Sequence, residues 1–214
     1  MAFWNQRMFR LKGETRFADI VERVMYNGLL SGVSLDGTKF FYTNPLASTG
    51  GHHRSSWFGC ACCPTHVVRF FPKIGSYAYG VSPDGDRLTV SQYMNSSAQV
   101  AVGGGRVTVE QQTRYPWEGA VKLTLKPQSP TEFTLRLRIP DWAHGRLTST
   151  DLYEYVNPGA PPVELAVNGE ELEAPTGNMA EIRRTWEKGD TVELRLPMPI
   201  KRVKAIPKIE ADRG

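Results

Sequence analysis

The sequence predicts an α+β protein in which a helical part, residues 1–80, precedes an antiparallel β-sandwich, residues 81–214. Two observations carry this prediction. In the first part, apolar residues recur every three or four positions, as they do on one face of a helix. In the second part, apolar and polar residues alternate in short runs separated by turn residues, which is typical of the strands of a sandwich.

Two helices and a hairpin are predicted in the first 45 residues. The first helix ends at Gly13, and the second begins near Thr15, a plausible N-cap. Asp36-Gly37 lies between two short apolar runs and predicts a hairpin turn. The two helices carry apolar stripes formed by Met1, Trp4, Met8 and Leu11, and by Phe17, Ile20, Val21, Val24, Met25 and Leu29.

A third helix is expected to open at Cys63-Pro64 and to run towards Ile74. Proline suits a first helical turn, because it has no N–H to leave unpaired there. Pro72 has the opposite effect inside a helix, so it should kink or shorten this one.

The strands of the second part follow from their period of two. Gly103-Gly104-Gly105 lies between two such runs and is interpreted as a hairpin turn, not as a phosphate-binding loop. Residues 143–162 are expected to form a long surface loop. The alternating apolar runs are 88–90, 100–102, 107–109, 121–125, 133–139, 163–167 and 192–196.

Composition excludes several classes of function. The 26 Lys and Arg against 22 Asp and Glu give a net charge of +4. Basic residues form no run longer than pairs such as Arg183-Arg184, so no nucleic-acid partner is expected. No apolar run reaches the roughly 18 residues needed to cross a bilayer, so no membrane is expected either. The absence of a signal-peptide pattern and the clustered cysteines favour a cytoplasmic location.

The three cysteines, Cys60, Cys62 and Cys63, mark the sharpest local feature. Residue types alone leave three interpretations open: a structural zinc site completed by His52, His53 or His66, a reactive cysteine, and plain buried thiols. A helix N-terminus would favour the thiolate form of such a cysteine.

The remaining candidates have ordinary structural interpretations. Glu22 is expected to be solvated on its helix, and Tyr42 to be a core residue with its hydroxyl at the edge. His52 and His53 should be exposed, whereas His66 should be packed or capping. Sugar stacking is the less favoured interpretation of three tryptophans, which are expected in the sandwich core: Trp117, Trp142 and Trp186.

Three ordered motifs, residues 22–32, 35–46 and 60–64, resemble glycoside hydrolase family 127. The resemblance implies that residues 1–80 are the last helices of an (α/α)6 catalytic barrel and that residues 81–214 form a β-sandwich truncated at its C-terminal end. It implies a retaining hydrolase, dependent on zinc and cysteine, that releases non-reducing-end β-L-arabinofuranose from an arabinofuranoside.

The same resemblance assigns roles to four residues. Cys62 would be the nucleophile and also a zinc ligand, and Cys63 a second zinc ligand. Glu22 and Tyr42 would bind the hydroxyl groups of the sugar. Cys60 is not among the family's ligands by this matching.

The family's Glu-x-Cys zinc motif and its acid/base glutamate lie upstream of the position that matches Met1. A barrel portion N-terminal to this chain would therefore complete the site, and the isolated chain is expected to bind zinc poorly and to hydrolyse nothing. An uncapped first helix and the short polar tail after Ile200–Ile206 also indicate a fragment. The alternative function is a non-catalytic carbohydrate-binding or interaction module.

Overall fold

A computed structural model describes residues 1–45, 47–60, 62–147 and 151–212, with the backbone alone for Cys63, Pro64 and Asp212. The chain divides into two compact units, Met1–Tyr77 and Ala78–Gly214. Helices and strands both occur, so the α+β class is confirmed. The closed helical barrel remains a prediction. No helix among the described residues is long and apolar enough to cross a membrane.

The first unit contains the predicted helices. Gly13 ends the first one with a φ of 70°, a left-handed conformation that glycine adopts without steric cost. Thr15 is the first helical residue and Glu14 is the N-cap, so the assignment of the cap to Thr15 was wrong by one residue. The helical segments are α1 (Ala2–Lys12), α2 (Thr15–Arg23), a π-helical turn (Val24–Leu29), a 3-10 turn (Leu30–Gly32), α3 (Cys62–Phe70), a second 3-10 turn (Phe71–Lys73) and α4 (Gly75–Ala78).

Packing divides the apolar residues of this unit into two groups. A small core joins Ala2, Val21, Met25, Phe70 and Tyr77. The predicted stripe of α1 lies outside that core, since its members Met1, Trp4 and Leu11 are exposed. As predicted, Pro72 shortens the third helix, because α3 gives way to a 3-10 turn at Phe71.

The second unit is built from two facing sheets and a small ribbon. One sheet has the order β1-β2-β6-β10, the other β3-β4-β5-β11-β8-β9, and β12 pairs with β7. The strands are β1 (Tyr79–Val81), β2 (Arg87–Val90), β3 (Ser96–Val102), β4 (Gly105–Thr113), β5 (Ala120–Pro127), β6 (Thr131–Arg138), β7 (Tyr153–Tyr155), β8 (Glu164–Val167), β9 (Glu170–Glu171), β10 (Met179–Trp186), β11 (Thr191–Arg195) and β12 (Val203–Ala205).

Strand direction departs from the prediction in one place. β2 and β6 run parallel, with Leu88 opposite Leu135, so the sandwich is not purely antiparallel. Between these two strands the chain forms β3, β4 and β5 of the other sheet before it returns. The alternation of apolar residues shows only which face of each strand is buried. It therefore does not predict which strands pair or whether they run parallel.

The core of the sandwich takes side chains from both sheets. Leu88, Phe133 and Leu135 of the first sheet belong to one buried cluster with Val109 and Leu123 of the second. The predicted hairpin turn between β3 and β4 is confirmed. Gly103 and Gly104 have φ values of 62° and 76°, as a two-residue turn between twisted strands requires.

The three tryptophans have different surroundings. Trp186 is fully buried, and its indole N–H donates to the carbonyl oxygen of Phe133 at 3.1 Å. Trp142 packs at the edge of the core. Trp117 is 85% exposed, so its assignment to the core was wrong. It lies in a turn between β4 and β5, and a turn has no buried face to receive it.

The long loop predicted for residues 143–162 is partly wrong. β7 falls inside it and pairs with β12, with Tyr153 opposite Ala205. Ala143, at the end of a short 3-10 turn over Asp141–His144, is buried. A three-residue strand that pairs with a partner 50 positions away gives too short an alternation to be read from sequence.

Candidate active site

A hairpin in the first unit leads the chain to Tyr42. Val33 and Phe40 form a bridge across it, and Gly37 turns the chain with a φ of 72°. Asp36 accepts hydrogen bonds from the Ser34 hydroxyl at 2.5 Å and from the Thr38 backbone N–H at 3.0 Å. These bonds favour the charged carboxylate and lower its pKa to about 2. The bridge between Val33 and Phe40 and the positive φ of Gly37 confirm the turn predicted at Asp36-Gly37.

The segment after the hairpin is tied to the segment before the cysteines. Phe40 and Ser55 exchange two backbone hydrogen bonds, at 2.9 and 3.0 Å. The ring of Phe41 stacks on His52 with ring centroids 4.8 Å apart, and the Arg54 guanidinium lies 4.3 Å from the centre of the Phe41 ring. Arg54 also donates to the carbonyl oxygen of Ser31 at 2.6 Å. These contacts hold residues 52–55 against the hairpin.

Cys62 is the first residue of α3. The Thr65 hydroxyl donates to the Cys62 carbonyl oxygen at 2.7 Å, one turn into the helix. Backbone N–H groups at a helix N-terminus carry partial positive charge, which stabilises a nearby anion. Cys62 therefore lies at a helix start, as the sequence predicted, and its thiolate form remains a prediction.

Three side chains meet at this helix start. The Tyr42 hydroxyl lies 3.0 Å from the Cys62 sulfur, and the Cys60 sulfur lies 3.5 Å from the same atom. Hydrogen bonding to Cys62 first, and then to Cys60, raises the pKa of Tyr42 well above its usual range. The phenol therefore stays protonated at neutral pH and can donate to a sulfur anion.

The ring of Phe58 helps to position Tyr42. It lies 5.7 Å from the Tyr42 ring and 5.2 Å from the Phe40 ring, measured between ring centroids. Tyr42 is 37% exposed, so the expectation that it is a core residue was wrong. No role was predicted for Phe58, because it lies in a loop whose residues follow no periodic pattern.

The other predicted site residues have different environments. Glu22 is 8% exposed, which contradicts the expectation that it is solvated. Glu22 lies on α2, and in the sequence it stands between Val21 and Met25, which both belong to the small core of this unit. The thiol of Cys63, the predicted second zinc ligand, lies outside the described residues.

The three candidate histidines are all exposed. This was expected for His52 and His53. His52 also donates from Nε2 to the carbonyl oxygen of Thr43 at 2.8 Å, which gives it a structural role in the loop. The expectation that His66 is packed was wrong. It lies on α3 but away from the small core of this unit.

The described thiols have the right chemistry for zinc. Sulfur ligands about 2.3 Å from a tetrahedral zinc lie roughly 3.8 Å apart. The 3.5 Å between the sulfurs of Cys60 and Cys62 is close to this value, which bears on a structural site formed by the three cysteines and not on the predicted pair Cys62 and Cys63. Among the side chains that the structure describes, no group of three or more His, Cys, Asp or Glu residues could hold a metal ion. The Cys63 side chain lies outside the described residues, so the binding of zinc by Cys62 and Cys63 remains a prediction.

Both units of the chain match known proteins. Residues 1–76 match the β-L-arabinofuranosidase GH127 catalytic domain, and residues 87–198 match the GH127 middle domain. The non-reducing end β-L-arabinofuranosidase of Bifidobacterium longum subsp. longum is 33% identical over 232 residues. That alignment covers 100% of this chain and 32% of the relative, so the chain spans about a third of the relative's length.

Solved structures agree with these matches. A GH127 β-arabinofuranosidase superposes with a TM-score of 0.90 at 43% identity, over 98% of this chain and 33% of that one. A GH127 β-L-arabinofuranosidase from Geobacillus stearothermophilus T6 gives a TM-score of 0.79 at 39% identity, over 98% and 32%. A chain whose two parts match successive domains of one family, and whose cysteine cluster opens a helix of the catalytic part, belongs to glycoside hydrolase family 127.

Proposed function

We propose that this chain supplies the nucleophile and part of the sugar pocket of a retaining glycoside hydrolase that releases non-reducing-end β-L-arabinofuranose. The observation that carries the proposal is the 3.0 Å contact between Tyr42 and Cys62 at the start of α3. An attacking thiolate is stabilised by a hydrogen-bond donor and by the partial positive charge of a helix N-terminus, and it must be exposed to reach its substrate. The Cys62 sulfur has all three of these surroundings.

Cys62 would act by nucleophilic substitution at the anomeric carbon. Its sulfur forms a bond to that carbon while the bond from the carbon to the departing glycosidic oxygen breaks, which leaves the sugar on the protein as a thioglycoside. Water then displaces the sulfur, and two inversions give overall retention. A zinc ion held by Cys62 and Cys63, when bound, would keep the thiol deprotonated near neutral pH.

Tyr42 and Glu22 would serve the sugar in different ways. The Tyr42 hydroxyl donates to the Cys62 sulfur before attack, and it becomes available to a sugar hydroxyl once that sulfur bonds to carbon. Glu22 would accept hydrogen bonds from sugar hydroxyls. Its burial supports this role, because a carboxylate removed from water gains more from each hydrogen bond that it accepts.

The acid that protonates the departing oxygen is expected from the part of the family's barrel upstream of the position matching Met1. No cysteine of this chain follows a glutamate at the Glu-x-Cys spacing. We therefore expect the purified chain to release no arabinose from a β-L-arabinofuranoside and to bind zinc weakly. Release by the chain alone would contradict this expectation.

Complementation tests the proposed function directly. The upstream barrel segment of a family relative, co-expressed with this chain, should restore stoichiometric zinc and arabinose release. Metal analysis and a sugar-release assay measure the two effects, and the barrel segment expressed alone is the control. A stable complex that binds zinc but releases no arabinose would contradict the proposal.

Replacement of Tyr42 by phenylalanine should weaken catalysis in the complemented enzyme. The variant keeps the ring that packs on Phe58 but loses the hydrogen bond to the sulfur. A hydrogen bond to a charged group contributes about 1.5–3 kcal/mol, so kcat/KM should fall roughly 10- to 100-fold. Steady-state kinetics measure the change. Unaltered kcat/KM would show that the hydroxyl plays no part in the reaction.

A second candidate function, a carbohydrate-binding module without catalysis, is favoured by one observation. Trp117 is 85% exposed, and flat aromatic surfaces suit sugar rings. Titration of the whole chain with arabino-oligosaccharides separates the two functions. Binding that Trp117→Ala abolishes and Cys62→Ala leaves unchanged would support the module.

A further inference from the structure

The cysteine cluster contains a pair of thiols that the proposed reaction does not use together. The sulfurs of Cys60 and Cys62 lie 3.5 Å apart, and both residues are exposed. A disulfide requires sulfurs about 2.05 Å apart, so closure needs an approach of roughly 1.5 Å. Rotation of side chains in an exposed segment readily supplies a movement of this size.

We propose that Cys60 is a resolving thiol, which forms a reversible disulfide with Cys62 when Cys62 is oxidised by a hydroperoxide. The disulfide itself does not depend on the proposed function. The loss of hydrolysis that the disulfide would cause does depend on the proposed function, because a nucleophile held in a disulfide cannot attack sugar.

The reaction balances in two steps. The Cys62 thiolate attacks one oxygen of the hydroperoxide, which breaks the O–O bond, expels hydroxide or alkoxide and leaves a sulfenic acid. The Cys60 thiol then attacks the Cys62 sulfur, the S–S bond forms, and the sulfenic oxygen leaves as water. The two thiols together have lost two protons and two electrons, which have reduced the hydroperoxide to water or an alcohol. A small dithiol reduces this disulfide to the two thiols by thiol–disulfide exchange and is itself oxidised to a disulfide.

The same surroundings that favour attack on sugar favour this oxidation. Peroxides react with thiolates, and Cys62 lies at the start of α3 with the Tyr42 hydroxyl 3.0 Å from its sulfur. Exposure gives the peroxide access. Susceptible cysteines typically combine a position that favours the thiolate, exposure and a nearby resolving thiol. Here the structure provides the helix start, the exposure and the Cys60 sulfur at 3.5 Å.

Backbone geometry makes Cys60 a better partner for Cys62 than Cys63. Consecutive Cα atoms are 3.8 Å apart across a trans peptide, whereas disulfides usually join Cα atoms 4.4–6.8 Å apart. Cys62 and Cys63 are also successive residues of a regular helix. A bond between them would distort the first turn of α3, whereas Cys60 precedes the helix.

Thiol counting on the purified chain tests the proposal. After removal of metal with a chelator and limited treatment with hydrogen peroxide, the chain should keep one of its three thiols. Its intact mass should fall by two hydrogen atoms, and dithiothreitol should restore both values. Non-reducing electrophoresis should show the monomer, and dimers as the main product would overturn the proposal.

Two matched variants assign the bond. Cys63→Ser should still lose both of its remaining thiols in one intramolecular disulfide. Cys60→Ser should form no disulfide and should instead give a sulfenic acid at Cys62, which dimedone traps. A disulfide in Cys60→Ser equal to that of the unaltered chain would assign the bond to Cys62 and Cys63 and would overturn the proposal. Circular dichroism before treatment confirms that the variants are folded.

Activity of the complemented enzyme separates this proposal from the proposed function. Peroxide should inactivate the enzyme, and dithiothreitol should restore the activity. A disulfide that forms as described but leaves hydrolysis unchanged would disprove the role of Cys62 as nucleophile without affecting the role of Cys60. If no disulfide forms while Cys62→Ala still abolishes hydrolysis, only the resolving role is lost.

Discussion

Substitution of Cys62 by alanine should reduce arabinose release by the complemented enzyme at least about 10³-fold, because the proposed covalent bond to the sugar forms at the Cys62 sulfur. The fall should appear in kcat, since alanine leaves the sugar pocket intact. Cys62→Ser should be nearly as inactive. A serine hydroxyl is far less acidic than a thiol, so it presents almost no anion at neutral pH.

His66→Ala is the matched control for this prediction. His66 is exposed on the same helix, four residues after Cys62, and has no place in the proposed reaction. The variant should keep most of its activity and its zinc. Loss of zinc in His66→Ala would instead support a structural zinc site in which a histidine joins the three cysteines. Full turnover by Cys62→Ala would refute the proposed mechanism.

The largest expected effect on stability is that of Trp186→Ala, which should lower the free energy of unfolding of the sandwich by about 4 kcal/mol. Trp186 is fully buried and packs on Phe133, with ring centroids 5.7 Å apart. Alanine would leave a large cavity, and the Phe133 carbonyl oxygen would lose the indole donor at 3.1 Å. Urea denaturation followed by circular dichroism measures the loss.

Trp117→Ala provides the control, because it removes the same side chain from an exposed turn. Its free energy of unfolding should change by no more than about 0.5 kcal/mol. The free energy of unfolding of Trp186→Phe should lie between those of the two alanine variants, since phenylalanine keeps most of the ring but not the N–H donor. Equal stability of the two alanine variants would show that Trp186 does not anchor this core.

Much of the local structure could be predicted because short-range patterns decide it. Gly13 ends α1, Pro72 ends α3, and the glycines after Val102 turn the chain, each through the backbone conformations that these residues allow. The failures involve partners distant in the chain. The parallel pairing of β2 with β6 and the strand β7 depend on such partners.

The candidate site divides in the same way. The motif around Cys62 indicated the family, and its place before Pro64 indicated a helix start, so the sequence by itself determined which residue is the candidate nucleophile. The tertiary structure decided its neighbours. Tyr42 precedes Cys62 by 20 residues, and the two meet because the bridge from Phe40 to Ser55 folds the intervening loop back on itself. Contacts of this kind depend on packing across a loop, and no periodicity along the chain encodes them.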